Sequence, residues 1–375
     1  MQALILRIKD WEGKTGFEKA EVPEPVITKG DDVIIKVHYA GVCGTDKGIW
    51  YRQAFKNQIL DSISAEKKPY RIIGHEFFGE VKKVGPKVKN LEPGDFVSCE
   101  SHVVCNHCYQ CLHGQKEVCT NEKILGISHD GGFAEYAMVP AHIVWKTDTS
   151  KIRPEVAAMQ EPFGNAVHAA SKVDVRGKTV AIFGLGPIGM FLTIVVKGLG
   201  AKSIIGIEPN PIAREMAGKS GIDYVIPLKP SQKNQPYEHD AEIIRELKNI
   251  TEGVGFDVAF EMAGFNSSVN NTIAAVRRGG NVILFGFKNG QFVLDEDYNK
   301  LVMKGMTMHC VAGRQVWKTW ETTRTLMEDA SNGVQEKLFN IILNRGEGTI
   351  LPISEYTKER FEDMMAKHPK FLIQF

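Results

Sequence analysis

Four cysteines lie in one short loop at the spacing C-x2-C-x2-C-x7-C: Cys105, Cys108, Cys111 and Cys119. Thiolates at this spacing can complete a tetrahedral shell around Zn²⁺, which has no redox chemistry and in such a site keeps no position open for a substrate. The zinc would therefore stabilise the fold, and we expect a structural zinc lobe at about residues 99–120. Disulfide bonds are the alternative, and the tight spacing together with the lack of a signal peptide argues against them.

Two cysteines outside the set of four, and two histidines inside the lobe, have no predicted ligand role. Cys99 and Cys310 are predicted to be buried thiols, although the position of Cys99 near the lobe leaves alternative ligation open. His107 and His113 lie between the cysteines and are expected to face solvent, because four thiolates already satisfy the zinc.

The composition is that of an ordinary globular protein. The 375 residues exceed the size at which a single core keeps growing, so two domains are expected. With 46 Lys and Arg against 45 Asp and Glu, no general attraction to nucleic acid or to an anionic membrane is expected. The N-terminal apolar run is too short for a signal peptide, and no apolar stretch is long enough to span a bilayer. These features predict a cytoplasmic protein.

The residue pattern changes near Arg153-Pro154. Before it, short apolar runs such as Asp32–His38 and Phe77–Val81 alternate with turn residues and predict a barrel-like β domain. After it, continuous apolar runs such as Thr179–Gly184 and Ser203–Glu208 alternate with helical segments, which is typical of a doubly wound α/β domain with a parallel sheet. The predicted boundaries are 1–154, 155–313 and a return to the first domain at 314–375, with a solvated loop at Lys229 to Asp240.

A glycine-rich loop follows the first predicted strand of the α/β domain and opens a helix, and Glu208 ends the next strand. The glycines permit a tight turn and close approach to a pyrophosphate, and the acid can hold a ribose hydroxyl. Because a carboxylate at that position repels a 2′-phosphate, NAD is favoured over NADP. The loop residues predicted to contact the nucleotide are Gly184, Leu185, Gly186, Pro187, Ile188 and Gly189.

A second metal set is suggested by Cys43, which stands among turn residues, and by His75 and Glu76. A thiolate, an imidazole and a carboxylate form an incomplete protein shell, as in catalytic zinc sites that keep a position for substrate. Taken singly, each of these residues would be read as a buried thiol or a hydrogen-bonded core residue.

Six motifs occur in an order shared with one enzyme family. They are Cys43-Gly-Thr-Asp46, Gly74-His-Glu76, Glu92-Pro-Gly-Asp95, the four-cysteine lobe, Gly131-Gly-Phe-Ala-Glu-Tyr136 and the Gly184 loop. On these motifs the chain resembles the zinc-dependent medium-chain alcohol and polyol dehydrogenases. The resemblance implies a GroES-like catalytic domain interrupted by a Rossmann domain, an active site in the cleft between them, NAD as cofactor and two zinc ions per chain.

Within that family the resemblance is greatest to the threonine-oxidising members. It rests on Glu161–His168, Gly255–Val258, Glu261–Gly264, Lys304–Met306 and Gly313–Trp320. The implied reaction is oxidation of L-threonine to 2-amino-3-oxobutanoate. The alternatives are a polyol, sugar or secondary alcohol as substrate, and a zinc-stabilised NAD(H)-binding regulatory protein without turnover.

The resemblance also implies roles for individual residues. Cys43, His75 and Glu76 would ligate the catalytic zinc, and Glu161 would exchange with Glu76 or water, unless it is only a core-satisfied acid. Thr45 would relay the substrate proton, and His102 would influence substrate choice. Further nucleotide contacts are expected from Arg214, Phe285, Gly286, Phe287, Val311 and Ala312, with packing as the alternative for the two phenylalanines.

Three features depart from the family pattern. Gly48 stands where the family usually has a relay histidine, so the proton must leave by water or another group. The segment from Cys43 to Gly74 is longer than in typical threonine-oxidising members and borders the substrate pocket in the family. An arginine expected at Ala213 stands instead at 214, about 100° around a helix.

The family commonly forms dimers or tetramers through the last Rossmann strand, here near Met306 to Ala312.

Overall fold

The computed structural model describes residues 1–13, 15–228, 235–287 and 290–375. Its strands are β1 (Gln2–Arg7), β2 (Glu18–Glu21), β3 (Asp32–Gly41), β4 (Tyr70–Ile72), β5 (Glu76–Val84), β6 (Phe96–Cys99), β7 (His102–Val103), β8 (Lys123–Ile124), β9 (Tyr136–Pro140), β10 (Val144–Lys146), β11 (Thr179–Phe183), β12 (Ser203–Glu208), β13 (Tyr224–Pro227), β14 (Phe256–Glu261), β15 (Val276–Leu284), β16 (Thr307–Cys310), β17 (Ile350–Pro352) and β18 (Leu372–Gln374).

The α-helices include α1 and α2, which the sequence reasoning did not anticipate. They are α1 (Gly44–Trp50), α2 (Lys56–Glu66), α3 (Tyr109–Leu112), α4 (Pro154–Ala157), α5 (Gln160–Ala170), α6 (Pro187–Gly198), α7 (Pro211–Ser220), α8 (Ala241–Ile250), α9 (Asn266–Ala275), α10 (Tyr298–Lys304), α11 (Lys318–Glu328), α12 (Val334–Lys337) and α13 (Lys358–Lys367).

The described chain divides into two compact units. Unit 1 comprises Met1–Pro162 and Gln315–Phe375, and unit 2 comprises Phe163–Arg314. The C-terminal segment joins unit 1 because β18 pairs antiparallel with β3. The predicted solvated loop at Lys229 to Asp240 lies partly outside the described residues, since 229–234 are not among them.

Unit 1 is built on a mixed sheet of the order β10-β6-β5-β3-β18-β17, with β9 also paired with β3, and on a smaller sheet of the order β2-β1-β4. Along β3 the side chains of Val33, Ile35 and Val37 are fully buried, whereas Lys36 is exposed. These alternate residues place one face of the strand in the core, and Ile34 on the other face is buried as well. The prediction of a β-rich first domain is confirmed.

Unit 2 contains a sheet of six parallel strands in the order β13-β12-β11-β14-β15-β16. Its central strands are continuous apolar runs, as expected for strands that are covered on both faces. Successive strands are added on one side of β11 up to β13, and from β14 onward they are added on its other side. Sheets of this kind bind ligands between the two halves, at the carboxyl ends of the strands. The predicted doubly wound α/β domain is confirmed, although β15 begins at Val276 rather than near Asn281.

Candidate active site

One candidate metal centre lies in unit 1, where the ligand atoms of Cys43, His75 and Glu76 lie within 4.8 Å of one another. Glu76 and His75 are buried, with 1% and 7% of their surface exposed. Glu76 is the first residue of β5, His75 directly precedes it, and Cys43 is the N-cap of α1. The site thus joins a helix start to the start of a strand, and Cys43 and His75 are 32 positions apart in the sequence.

The start of α1 is fixed by a capping box. The thiol of Cys43 accepts from the backbone of the first turn, and the backbone N–H of Cys43 donates to Asp46 Oδ2 at 2.9 Å. Asp46 is fully buried, and its Oδ1 lies 3.6 Å from His75 Nδ1. Burial lowers the pKa of His75, but the charges of Asp46 and Cys43 outweigh that effect and raise the pKa well above its usual value.

These residues fit a zinc ion. A thiol, an imidazole and a carboxylate are the donor types that catalytic zinc takes from proteins. The buried Nδ1 of His75 and Oδ1 of Asp46 have no hydrogen-bond partner within the described ranges, and a cation at the centre of the three ligands would offset the cost of burying such groups together.

Lys370 is a component of the site that the sequence reasoning missed. Its ammonium group, 1% exposed, donates to Glu76 Oε2 and, at 3.1 Å, to the carbonyl of Val42. A side chain at Gly41 would overlap the Glu76 carboxylate, so glycine leaves room for this contact. Burial opposes the charge of Lys370, yet Glu76 and Cys43 raise its pKa overall. One Glu76 oxygen is thereby committed to Lys370.

The other predicted catalytic residues of unit 1 have defined surroundings. Thr45 is half-buried in the first turn of α1. His102 Nδ1 lies 2.6 Å from Glu122 Oε2, which fixes the orientation of the ring. Glu161 is buried at the start of α5 but is not one of the three residues whose ligand atoms lie within 4.8 Å. Its role as a zinc ligand therefore stays a prediction.

Gly48, at the usual relay position, has little room for a side chain. A Cβ at this glycine would lie 3.0 Å from Ala54 Cβ, because the chain turns after α1 and the Gln53 N–H donates to the Gly48 carbonyl. Residues of the longer 43–74 segment are used in packing. Trp50 is buried and stacks on Phe361 at 4.7 Å, and Arg52 donates to the carbonyl of Gly16 at 2.7 Å.

The four cysteines of the lobe also converge, with their sulfur atoms within 4.8 Å of one another. All are free thiols, so the disulfide alternative is not the one seen. Backbone N–H groups turn toward the sulfurs: Cys108 N donates to Cys105 Sγ at 3.3 Å, and hydrogen bonds, first from the Cys111 N–H, lower the Cys108 pKa to about 5. Four sulfur donors with inward N–H groups fit a closed zinc site.

The remaining predictions for this region divide. Cys99 is fully buried as predicted, and His107 and His113 are exposed as predicted. Cys310 was predicted to be buried, and this is wrong: its side chain is exposed. It lies on β16, at the edge of the parallel sheet, where covering by a further strand is absent among the described residues.

The glycine loop of unit 2 borders a cavity of about 440 Å³. Gly184 follows β11 with φ of +94°, and a Cβ at Gly189 would overlap the Gly184 carbonyl. Glu208, at the end of β12, accepts from Leu185 N–H at 2.8 Å. The cavity is lined by Phe183, Gly184, Gly186, Ile207, Glu208, Pro209, Leu228, Met262, Ala263, Phe265, Ser267, Ser268 and Asn271. It lies at the carboxyl ends of the strands, where a dinucleotide binds in such folds.

Ala213 stands where the family has an arginine that contacts the adenosine ribose, and Arg214 follows it. Ala213 is buried, whereas the Arg214 guanidinium donates to the carbonyls of Glu208 and Pro209, at 3.1 and 2.5 Å. Arg214 therefore lies beside the acid that is predicted to hold the ribose.

The segment Phe285–Phe287 is held by Glu261, which the sequence analysis named only as part of a family motif. The Glu261 carbonyl accepts from the N–H groups of Phe285 and Gly286, and its carboxylate accepts from those of Ala263 and Gly264 at 2.9 Å. Phe287 is 84% exposed, so packing does not explain it, while Val311 is buried and Ala312 half-buried.

Comparison with known proteins decides the family. Residues 29–149 match the alcohol dehydrogenase GroES-like domain, and residues 187–329 match the zinc-binding dehydrogenase domain. L-threonine 3-dehydrogenase from Pyrococcus horikoshii is 40% identical over 84% of each chain, and that from Caldanaerobacter subterraneus is 36% identical over 96% of this chain and 95% of its own.

The chain belongs to the zinc-dependent medium-chain dehydrogenases. Solved structures agree on the fold. Alcohol dehydrogenase TADH from Thermus sp. ATN1 aligns with a TM-score of 0.81 at 23% identity, covering 100% of this chain and 99% of the other. Galactitol-1-phosphate dehydrogenase from Escherichia coli aligns at 0.80 and 23%, with full coverage of both chains. Among the described residues, none of the helices combines the length and hydropathy that a membrane span requires.

Proposed function

We propose that this medium-chain dehydrogenase oxidises the 3-hydroxyl group of L-threonine, with NAD as hydride acceptor, to give 2-amino-3-oxobutanoate and NADH. The observation that carries the substrate is the 34–41% identity to several L-threonine 3-dehydrogenases over most of the chain. The observation that supports the chemistry is the convergence of Cys43, His75 and Glu76 at a buried point.

Cys43, His75 and Glu76 would hold one zinc ion, with Glu161 or water as the exchanging fourth ligand, and the four lobe cysteines would hold a second. When bound, the first zinc supplies a Lewis acid that lowers the pKa of a substrate hydroxyl. Asp46 would orient His75, since its carboxylate lies 3.6 Å from the ring. Lys370 holds one oxygen of Glu76, so the other oxygen is the one available to a metal.

Thr45 would pass the substrate proton outward, because its hydroxyl follows Cys43 by two residues on the half-buried first turn of α1. Gly48 cannot continue that relay, so water or a ribose hydroxyl would take the proton onward. Glu208 and Arg214 would hold the adenosine ribose, and Phe285–Phe287, Val311 and Ala312 would border the nicotinamide. Small-molecule alcohols are the expected partners, together with further copies of the chain.

Oligomerisation through β16 is part of the proposal. Three of its four residues, Thr307, Met308 and Cys310, are exposed on the edge strand. An uncovered edge strand presents free backbone groups that a second copy can pair with. A dimer or tetramer is therefore expected.

The ammonium group of threonine needs an acceptor that a simple alcohol does not. Glu161, or a backbone carbonyl near it, is proposed to face this group. Glu161→Gln should therefore raise KM for threonine much more than KM for 2,3-butanediol. An equal change for both alcohols would show that Glu161 does not recognise the ammonium group.

The test of function is NADH formation with zinc-loaded enzyme on L-threonine, sorbitol, glucose and 2,3-butanediol. We expect the highest kcat/KM with threonine. Turnover of a polyol or diol without NADH formation from threonine would support the second candidate, a polyol or secondary-alcohol dehydrogenase. Gly48 and the longer 43–74 segment favour this candidate. No turnover of any alcohol, with NADH still bound, would support a regulatory NAD(H)-binding protein.

A further inference from the structure

A second cavity of unit 2, of about 490 Å³, lies at the amino ends of the strands, whereas the nucleotide pocket lies at their carboxyl ends. It is bordered by Gly253 and Val254, which precede β14, and by Val276 at the start of β15. The nucleotide pocket begins after β14 ends, and six strand residues span about 20 Å. The two cavities are therefore separate sites, and the proposed function does not use the second one.

The cavity is lined by five cationic side chains: Lys248, Arg277, Arg278, Lys300 and Lys304. Two of them have acidic partners. Arg277 Nε lies 2.8 Å from Asp257, and Lys300 Nζ lies 3.8 Å from Glu296.

Lys248 and Arg278, by contrast, form no ion pair within the described part of the chain. Both are exposed at the cavity. Guanidinium and ammonium groups without partners are the groups that recognise phosphoryl oxygens.

Lys304 adds a half-buried cation. Its Nζ donates to the carbonyls of Ile273 and Ala274 at the end of α9, so one of its three N–H groups is left for a ligand. Burial, with a contribution from Lys248 and against that of Glu296, lowers its pKa to about 8. An anion in the cavity would favour the charged form of this lysine.

The ends of α8, α9 and α10 compensate part of the positive charge, since a helix C-terminus carries about half a negative charge. Subtracting this, together with Glu296 and Asp257, still leaves the lining positive. The lining also includes an apolar part: Val254 and Met303 are each 65% exposed. Phosphoryl recognition and an apolar wall therefore occur in one concave site of ligand size.

We propose that this cavity binds a small organic phosphate, with its phosphoryl group on Lys248, Arg278 and Lys304 and its apolar part on Val254 and Met303. The test is calorimetric titration of the NADH-saturated full chain with phenyl phosphate and, separately, with inorganic phosphate. Sodium chloride keeps the ionic strength constant. Saturation with NADH keeps phosphate out of the glycine-loop site, and a repeat without NADH separates failure of this proposal from failure of the proposed function.

Phenyl phosphate should bind about tenfold more tightly than inorganic phosphate. The pair Lys248→Glu and Arg278→Glu should weaken phenyl phosphate binding about 100-fold, because it replaces two charge-assisted contacts with repulsion. The matched pair Arg176→Glu and Lys202→Glu, two exposed cations of unit 2 outside the cavity, should leave it unchanged. Met303→Glu should weaken it about tenfold, with circular dichroism showing that each variant folds.

Three outcomes would overturn the proposal. The first is unchanged affinity in both the Lys248/Arg278 and Met303 variants. The second is an equal loss in the Arg176/Lys202 control, which would mean unspecific charge attraction. The third is equal affinity for phenyl phosphate and inorganic phosphate, which would mean that the apolar wall takes no part.

Discussion

Lys370 forms a buried ion pair with Glu76, which lies 294 residues earlier in the chain. Both side chains are 1% exposed, and the pairing of β18 with β3 brings them together. The pair places a fixed positive charge behind a carboxylate that is proposed to ligate zinc. The hold on that carboxylate therefore depends on the last strand of the protein.

In the zinc-free protein, Lys370→Met should lower the free energy of unfolding by about 3 to 5 kcal/mol, because it leaves the Glu76 charge buried without its partner. It should also change the amount of zinc bound at the Cys43, His75 and Glu76 site, because the Glu76 carboxylate becomes free to rotate. Urea unfolding and metal analysis measure the two effects. Lys367→Met, which removes an exposed i,i+4 partner of Asp363, is the control and should cost less than about 1 kcal/mol. Equal stability of both variants would contradict the ion-pair argument.

The lobe predicts a separation of stability from chemistry. Cys111→Ser should remove the zinc ion that we propose for the lobe and lower Tm, while residual folded enzyme keeps its kcat. Zinc content, Tm and kcat are measured together, and Gln115→Ser, at an exposed lobe residue that is not one of the four cysteines, should change none of them. A fall in kcat at wild-type Tm would show that the lobe serves the hydride step.

We propose that the choice of NAD over NADP depends on Glu208. Glu208→Ala should raise KM for NAD about 10- to 100-fold, since a charge-assisted hydrogen bond contributes about 1.5 to 3 kcal/mol, and should narrow the preference for NAD over NADP. Steady-state kinetics with both cofactors test this. Glu215→Ala, at an exposed acid of α7 paired with Lys219, is the matched control. An unchanged preference in Glu208→Ala would mean that another group excludes the 2′-phosphate.

The sites that could be predicted were those carried by local spacing or by family motifs, as for Cys43, His75 and Glu76. The spacing of the lobe cysteines and the glycine loop with Glu208 are local patterns, and both converge as expected. Lys370 left no such signal, because its contact depends on a strand pairing between distant parts of the chain. Cys310 was assigned wrongly because its run looks like a buried strand, whereas β16 ends the sheet and is exposed.

Gly48 allows a test of the interrupted proton relay. Gly48→His alone should be destabilising, because its Cβ would lie 3.0 Å from Ala54 Cβ, and Gly48→His with Ala54→Gly should fold. In the double variant an imidazole with a pKa of about 6.5 can accept a proton, so kcat should rise at neutral pH and fall as the ring is protonated. The control is Ala54→Gly alone. Identical pH profiles of kcat in the two variants would show that the relay does not pass this position.

Asp130 predicts a pH dependence of stability. Its carboxylate binds Arg71, a fully buried cation, at 2.9 Å and Lys68 at 2.6 Å. Burial raises its pKa, but the charges of Arg71 and Lys68 outweigh burial and lower the pKa overall. A carboxyl whose pKa is depressed in the folded state stabilises the fold above its unfolded pKa of about 3.9, and this contribution is lost as the pH falls through the folded pKa.

Asp130→Asn should therefore lower the free energy of unfolding at pH 7 by about 3 kcal/mol, since it removes one partner of a buried cation. The difference from the wild type should shrink as the pH falls below about 4. Urea unfolding between neutral and acidic pH measures the curve. Asp363→Asn, at an exposed acid, should give a small and nearly constant difference. If the Asp130→Asn difference stayed the same at all pH values, its cause would be lost packing or hydrogen bonding and not the ionised carboxylate.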